Sequence, residues 1–214
     1  MKIKSFKVFG ERHTGTNVIS SFIETNFNIE RKDYEYLGWK HRIAPEVNEL
    51  NKYDLSSNFF VITFRNPYSW FKAMHKEPYN ISFPKMKKIS FNEFLELPFE
   101  DYENVVTMWN KKISSYLNFI NDNNYLTLSI NIEVFNKNQK KIFDDLIKIL
   151  NLEKDSVLFK PEYRYLNGWG HQAKKDVDKS LLMPTYQNDE LLTVNKYIDK
   201  ELLAELSYVE PKII

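Results

Sequence analysis

Residues 10–17 read GERHTGTN and directly follow a short apolar run, FKVF, at residues 6–9. The two glycines have the spacing of a phosphate-binding loop that enters a helix. Such a loop binds an anion through backbone N–H groups at the helix N-terminus. Gly15 is followed by Thr16 and Asn17. A nucleoside triphosphatase has a lysine and a hydroxyl residue at these positions, for the terminal phosphates and Mg²⁺. The sequence therefore predicts an anion site that differs from a Mg·ATP site.

The alternation of strand and helix patterns predicts an α/β fold with a mainly parallel sheet. The run FFVITF at residues 59–64 is continuous, apolar and rich in β-branched residues, which is typical of a buried parallel strand. We find no repeat and no linker, so residues 1–214 are expected to form one domain. Further strands are predicted at 3–9, 34–40 and 125–130. Helices are predicted at 16–26, 67–76, 91–97, 101–121, 138–151 and 189–206, the last broken near Asp199.

Composition limits the classes of function. The chain has 214 residues, of which 43% are apolar and 28% are charged, as in a globular protein. Its formal net charge of +1 gives no strong field for nucleic acid, so no nucleic-acid partner is expected. Without cysteine, disulfides, thiolate metal sites and a cysteine nucleophile are excluded. No segment approaches the roughly 20 apolar residues of a membrane span. We therefore expect a cytoplasmic protein without an integral membrane segment.

Polar or basic residues follow each of the first three predicted strands, namely the loop 10–17, the triplet 40–42 and the segment 65–67. Ligands of parallel sheets bind beyond the carboxyl ends of the strands, so the three segments are predicted to converge on one anion. Arg65 can fork onto a phosphate. The loop would contribute amides, short side chains and positive charge, through Arg12, His13, Thr14, Gly15, Thr16 and Asn17.

The same triplet suggests catalytic groups. His41 can take a proton near neutral pH, and Lys40 can stabilise negative charge on a leaving oxygen. Simpler interpretations exist for each feature. The loop could be an ordinary turn with a threonine helix cap, Arg65 a surface arginine paired with a carboxylate, and Arg42 a solvated cation. Glu11 is expected to form a local ion pair with Arg12. No His/Asp/Glu set has a metal-ligand spacing, so no metal is expected.

Residues 12–17 (RHTGTN) and 65–70 (RNPYSW) resemble the two nucleotide-binding motifs of the P-loop sulfotransferase family. The segment 39–41 and the C-terminal residues 186–208 are also similar to that family. The loop is most similar to a bacterial carbohydrate-type branch. The resemblance implies a three-layer sandwich with a P-loop nucleotide-binding core. It also implies the donor 3′-phosphoadenosine 5′-phosphosulfate (PAPS), the product 3′,5′-bisphosphoadenosine and a carbohydrate or glycan-precursor acceptor.

The resemblance also implies roles. Residues 12–17 would grip the 5′-phosphosulfate, and Arg65, with Ser69, the 3′-phosphate. His41 would be the general base, and Lys40 would stabilise negative charge. His13 stands where the family has a lysine or arginine, so protonated His13 or Arg12 would replace that cation.

Two further departures separate this chain from the family pattern. Ala73 replaces a serine, and IEVF at 132–135 replaces a Tyr-Glu-Asp-Leu-like segment. A small P-loop kinase and a non-catalytic nucleotide- or glycan-binding module remain open as alternatives.

Overall fold

The computed structural model describes residues 3–78, 88–122, 124–153, 157–160 and 183–211. Four strands form one all-parallel sheet in the order β2-β1-β3-β4: β1 (Ser5–Gly10), β2 (Glu30–Arg31), β3 (Asn58–Phe64) and β4 (Thr127–Asn131). The described helices are α1 (Thr16–Phe27), α2 (Val47–Leu50), α3 (Pro67–Lys76), α4 (Phe91–Glu96), α5 (Val105–Asn121), α6 (Ile132–Lys137), α7 (Gln139–Ile149), α8 (Asn188–Tyr197) and α9 (Lys200–Glu205). The predicted α/β class is confirmed.

The central strand β3 explains why helices cover both faces of the sheet. All seven of its residues are buried, and successive side chains of a strand point to opposite faces. Phe59 and Val61 pack into a core with α1, α6 and α7. Phe60, Ile62 and Phe64 pack into a second core with α3, α4, α5, α8 and α9. The sheet thus lies between two helical layers, which is consistent with the expected three-layer arrangement.

Two predicted helix starts follow from local capping. The Asn66 side chain accepts hydrogen bonds from the N–H groups of Tyr68 (3.0 Å) and Ser69 (3.4 Å), and Pro67 occupies the first helical position of α3. The predicted break near Asp199 is also confirmed, because its carboxylate caps α9. The long helix was predicted from residue 101, but α5 begins at Val105, since the Asn104 side chain caps it there.

The second strand was predicted at residues 34–40, and this prediction is wrong. The structure places β2 at Glu30–Arg31, and residues 34–40 form turns. Leu37 and Gly38 have left-handed backbone angles, φ 61° and 77°, which a strand does not accommodate. The buried Lys7 ammonium donates to the carbonyl oxygens of Asp33 (2.5 Å) and Gly38 (2.8 Å) and so holds the segment in a curled form.

The strand order creates one crevice. From β1 the chain passes to β2 on one side of the sheet, and β3 then pairs with β1 on the other side. Ligands of open parallel sheets bind at such a reversal, beyond the carboxyl ends of the strands. Those ends are Gly10 of β1 and Phe64 of β3, and Gly10 lies opposite Thr63 in the strand register.

Candidate anion site at the carboxyl ends of β1 and β3

Helix α1 begins without a side-chain cap at the end of the loop. Gly15 stands at its N-cap with φ 86°, and this position supplies no side-chain cap hydrogen bond. An N-terminus of this kind presents N–H groups and the positive end of the helix dipole. The alternative of a threonine helix cap is therefore wrong, because the N-cap residue is Gly15. Gly15 is also required for space, because a Cβ there would lie 2.3 Å from Ile132 Cδ1.

The loop between β1 and α1 is fixed by its own hydroxyl and by helix α3. The Thr14 hydroxyl donates to the Glu11 carbonyl oxygen (2.6 Å) and lies 2.6 Å from Thr63 Oγ1. The buried Trp70 indole donates to the Arg12 carbonyl oxygen (2.7 Å). The Thr14 side chain was expected to contact an anion, but its hydroxyl is engaged within the protein. What the loop offers to a ligand is therefore chiefly its backbone.

Arg65 lies against this loop. It follows β3 directly, and its Nη1 donates to the His13 carbonyl oxygen (3.1 Å). Its Nε donates to Ser69 Oγ (2.9 Å), one turn into α3. Burial lowers the pKa of Arg65, whereas the Glu133 carboxylate acts in the opposite direction. The loop and the guanidinium, predicted to converge from separate strand ends, are thus in direct contact. Ser69 orients the guanidinium through this bond.

His13 occupies a strained position in the loop. Its φ of 64° is uncommon for a residue with a side chain. Its Nε2 lies 2.8 Å from the Glu77 carbonyl oxygen, which can only accept, so Nε2 carries the hydrogen. Burial lowers the pKa of His13, and Arg12 and Arg65 lower it further. This environment disfavours the positive charge expected of His13. Arg12 carries charge, but it pairs with Glu77 at 3.4 Å.

Lys40 reaches the N-terminus of α1. Its ammonium donates to the Asn17 side-chain oxygen, one residue inside the helix. Its carbonyl oxygen accepts from the Gly10 N–H (3.0 Å), which ties the segment to the end of β1. Burial, with a contribution from Arg31, lowers the pKa of Lys40 to about 8. Lys40 is therefore a cation near the loop that titrates close to neutral pH. Thr16, the first residue of α1, is buried, and its carbonyl oxygen accepts from Ser20.

His41 lies beneath the loop. Its Nδ1 is 2.6 Å from the Gly10 carbonyl oxygen, so the hydrogen of the neutral ring is on Nδ1 and the lone pair on Nε2. Its ring is 8% exposed and meets the Trp39 ring edge-on at 5.0 Å. Burial lowers the pKa of His41 to about 3. A base with such a pKa accepts protons poorly at neutral pH, which weakens the general-base role expected from the sequence.

Two buried charges at the site were not foreseen. The Glu11 carboxylate and the Lys112 ammonium of α5 form an ion pair at 2.9 Å, and both side chains are buried. The expected pair of Glu11 with Arg12 is wrong, because the loop turns the two side chains to different partners. Nothing local in the sequence marks Lys112, which occupies a buried position in α5. Arg42, expected to be solvated, pairs with Glu49 at 2.8 Å.

Other candidates from the sequence are placed as follows. His75 lies in the last turn of α3, and its Nε2 is 2.9 Å from the Ile89 carbonyl oxygen. Aromatic residues near the predicted site could line an acceptor cleft, but of these Trp70 is fully buried, whereas Trp39 is 42% exposed. Residues 132–135, where the chain departs from the sulfotransferase pattern, begin α6, and Glu133 accepts from the Asn66 N–H (3.0 Å). The sequence also predicts an irregular segment at 160–183, which includes the histidine at position 171, and this segment lies almost entirely outside the described residues.

Within the part of the chain that the structure describes, no three histidine or carboxylate side chains are grouped as metal ligands would be. Across the same residues, none of the helices has the length and apolarity needed to span a membrane.

No protein-family model matches this chain, and no curated protein matches it at a significant level. The resemblance to sulfotransferases therefore stays a prediction from the sequence motifs.

Proposed function

We propose that the chain is a sulfotransferase that moves a sulfuryl group from PAPS to a hydroxyl of an acceptor, a carbohydrate or glycan precursor by its motif resemblance. The observation that carries the proposal is the contact of Arg65 with the His13 carbonyl beside the uncapped start of α1. A helix N-terminus and an adjacent guanidinium form a site suited to a ligand with two phosphate groups. The loop also lacks the lysine and hydroxyl with which P-loop kinases bind Mg·ATP.

The residues of the site divide between the two ends of the donor. The amides of Gly15, Thr16 and Asn17 would hold the 5′-phosphosulfate, with Arg12 supplying positive charge. Arg65, oriented by Ser69 Oγ, would bind the 3′-phosphate. These groups are fixed before the donor arrives, so their dipoles stabilise developing charge without reorganisation.

The reaction requires one proton acceptor. The acceptor oxygen would attack the sulfur of PAPS. The bond between that sulfur and the phosphate oxygen would break, and 3′,5′-bisphosphoadenosine would leave. The acceptor hydroxyl would lose its proton in the same reaction. Lys40, with a pKa of about 8, is partly neutral near that pH and lies at the start of α1. We therefore assign the proton acceptance to neutral Lys40 and give His41 the role of holding the Gly10 carbonyl. This assignment replaces the roles expected from the sequence, because the pKa of His41 is about 3.

Thermal unfolding with added nucleotides tests the proposal. A ligand at 100 times its Kd stabilises the folded state by about 2.7 kcal/mol, which for this size corresponds to a Tm increase of about 5–10 °C. We expect that increase with 3′,5′-bisphosphoadenosine in the absence of Mg²⁺, and a much smaller one with ATP. Sulfate transfer from PAPS to a panel of carbohydrate acceptors is the second measurement.

Each alternative predicts a different result. A kinase would be stabilised by ATP only with Mg²⁺, and a binding module would bind the bisphosphate without any transfer. If neither nucleotide raises Tm, the donor assignment is refuted.

A further inference from the structure

The most unusual group in the core is the Glu11–Lys112 ion pair. Glu11 follows β1 directly, and Lys112 lies within α5, so the pair joins the first residues of the loop to a helix that covers one face of the sheet. Glu11 is fully buried and Lys112 is 3% exposed. Removing two charges from water carries a large desolvation cost, and an apolar pair of similar volume often gives equal or greater stability. Global stability is therefore a weak explanation for this pair.

The second bond of Lys112 suggests another explanation. Its ammonium also donates to the His41 carbonyl oxygen (2.8 Å). One turn further along α5, the Tyr116 hydroxyl donates to the Arg42 carbonyl oxygen (2.7 Å). Lys112 and Tyr116 of α5 thus hold the carbonyl groups of His41 and Arg42, the two residues that follow Lys40.

The Glu11 end of the pair lies at the start of the loop. Glu11 follows Gly10, whose N–H donates to the Lys40 carbonyl oxygen and whose carbonyl oxygen lies 2.6 Å from His41 Nδ1. Lys112 therefore contacts both segments that border the anion site, one through the Glu11 carboxylate and one through the His41 carbonyl. The Lys112 ammonium thus adds a link between these segments to the two direct bonds at Gly10.

We propose that Glu11 and Lys112 are positioning residues, which set the register of segment 40–42 against the loop and thereby place Lys40 at the start of α1. This inference rests on the proposed function, in which Lys40 acts at that point. Neither residue contacts the donor or the acceptor in this assignment.

A double-variant cycle separates positioning from a merely structural pair. Glu11→Gln and Lys112→Met each leave one buried charge without its partner, and we expect each to lower Tm by about 6–20 °C. The double variant Glu11→Gln/Lys112→Met removes both charges at similar volume and should regain most of that Tm. If the pair positions the site, the double variant still shows at least about a tenfold loss of turnover. Recovery of Tm and turnover together would overturn the inference.

A spectroscopic measurement keeps this test independent of enzymatic activity. The ¹⁵N NMR signals of the His41 imidazole, assigned with a His41→Gln variant, report the tautomer held by the Gly10 carbonyl. We expect the wild type to show a hydrogen on Nδ1 and the refolded double variant to show shifted or tautomer-averaged signals. Unchanged His41 signals in the double variant would also overturn the inference.

The control is an exposed pair of the same kind, Lys141–Asp145 at 2.8 Å on α7. Lys141→Met/Asp145→Asn should leave Tm, turnover and the His41 signals unchanged. If the single variants do not fold, Tyr116→Phe keeps the ring but removes the hydroxyl that contacts the Arg42 carbonyl and Glu11, and it should also shift the His41 signals. If the wild type binds no bisphosphoadenosine, the proposed function fails, whereas the His41 signals still decide on positioning.

Discussion

Replacing Arg65 by lysine tests the two-point grip on the donor while it keeps the positive charge. In the structure the guanidinium makes two directed hydrogen bonds, to Ser69 Oγ (2.9 Å) and to the His13 carbonyl oxygen (3.1 Å). These bonds leave from different nitrogens of one planar group. A lysine carries a single ammonium on a flexible stem, so it cannot reproduce both bonds and also face a phosphate.

The magnitude follows from those contacts. Arg65 is partly exposed, so losing one charged hydrogen bond should lower the free energy of unfolding by about 1–2 kcal/mol, near the lower end of the usual range. That loss corresponds to a Tm decrease of about 2–8 °C. Binding should suffer more than folding, because the forked contact with phosphate is lost as well. We expect about a 10- to 100-fold weaker affinity for bisphosphoadenosine, or about 1.4–2.8 kcal/mol.

Isothermal titration calorimetry with bisphosphoadenosine, together with thermal unfolding, measures both effects. The matched control is Arg42→Lys, since the Arg42 guanidinium contacts Glu49 and the Leu37 carbonyl instead of the loop. The control should bind as tightly as the wild type. An Arg65→Lys variant that keeps the wild-type affinity within a factor of about two would refute the phosphate role, since a lost forked contact exceeds that limit.

Three further predictions concern the loop and Lys40. Trp70→Phe leaves the Arg12 carbonyl without its indole donor and leaves a small cavity at this fully buried position, so the unfolding free energy should fall by at least about 1–3 kcal/mol, measured by urea denaturation, and donor affinity should fall with it. Gly10→Ala would place a Cβ 2.7 Å from the Thr63 carbonyl oxygen, and overpacking there should cost about 2–3 kcal/mol in the same assay. Because the pKa of Lys40 is lowered to about 8 in the free protein, kcat/KM for the donor should rise about tenfold per pH unit below that pKa and level off above it; a flat wild-type profile would contradict the assignment.

Elements with strong local signals were predictable from the sequence. Residues 59–64 of strand β3 are almost all apolar, and most are β-branched or aromatic, so the run is compatible with burial on both faces of a parallel sheet. Helix α3 was predictable for the same reason, because Asn66 and Pro67 determine its first turn within the sequence itself. The two-residue strand β2 was not predictable, since the turn that follows it depends on the buried Lys7 ammonium, which is distant in sequence.

In the candidate site, too, some contacts were predictable from the sequence and others were not. The contact between the loop and Arg65 could be expected because parallel strands place their carboxyl ends at one edge of the sheet. The polar contacts that Trp70 and Lys112 make with the backbone could not be expected from the sequence. Trp70 and Lys112 have the spacing of core residues on α3 and α5, and only the packing of these helices brings their donors to the Arg12 and His41 carbonyl oxygens.

The disagreement over His41 shows what residue type alone leaves undecided. Histidine is often a general base because its ordinary pKa lies near 6.5, but that value belongs to a solvated ring. Here burial is the largest cause of a pKa of about 3, and Lys40 and Lys112 lower it further. The same burial lowers the pKa of Lys40 from 10.5 to about 8 and brings it towards neutrality. Desolvation penalises the cationic form in both residues. In the proposed reaction, Lys40 is therefore better suited than His41 to accept the proton of the acceptor hydroxyl near neutral pH.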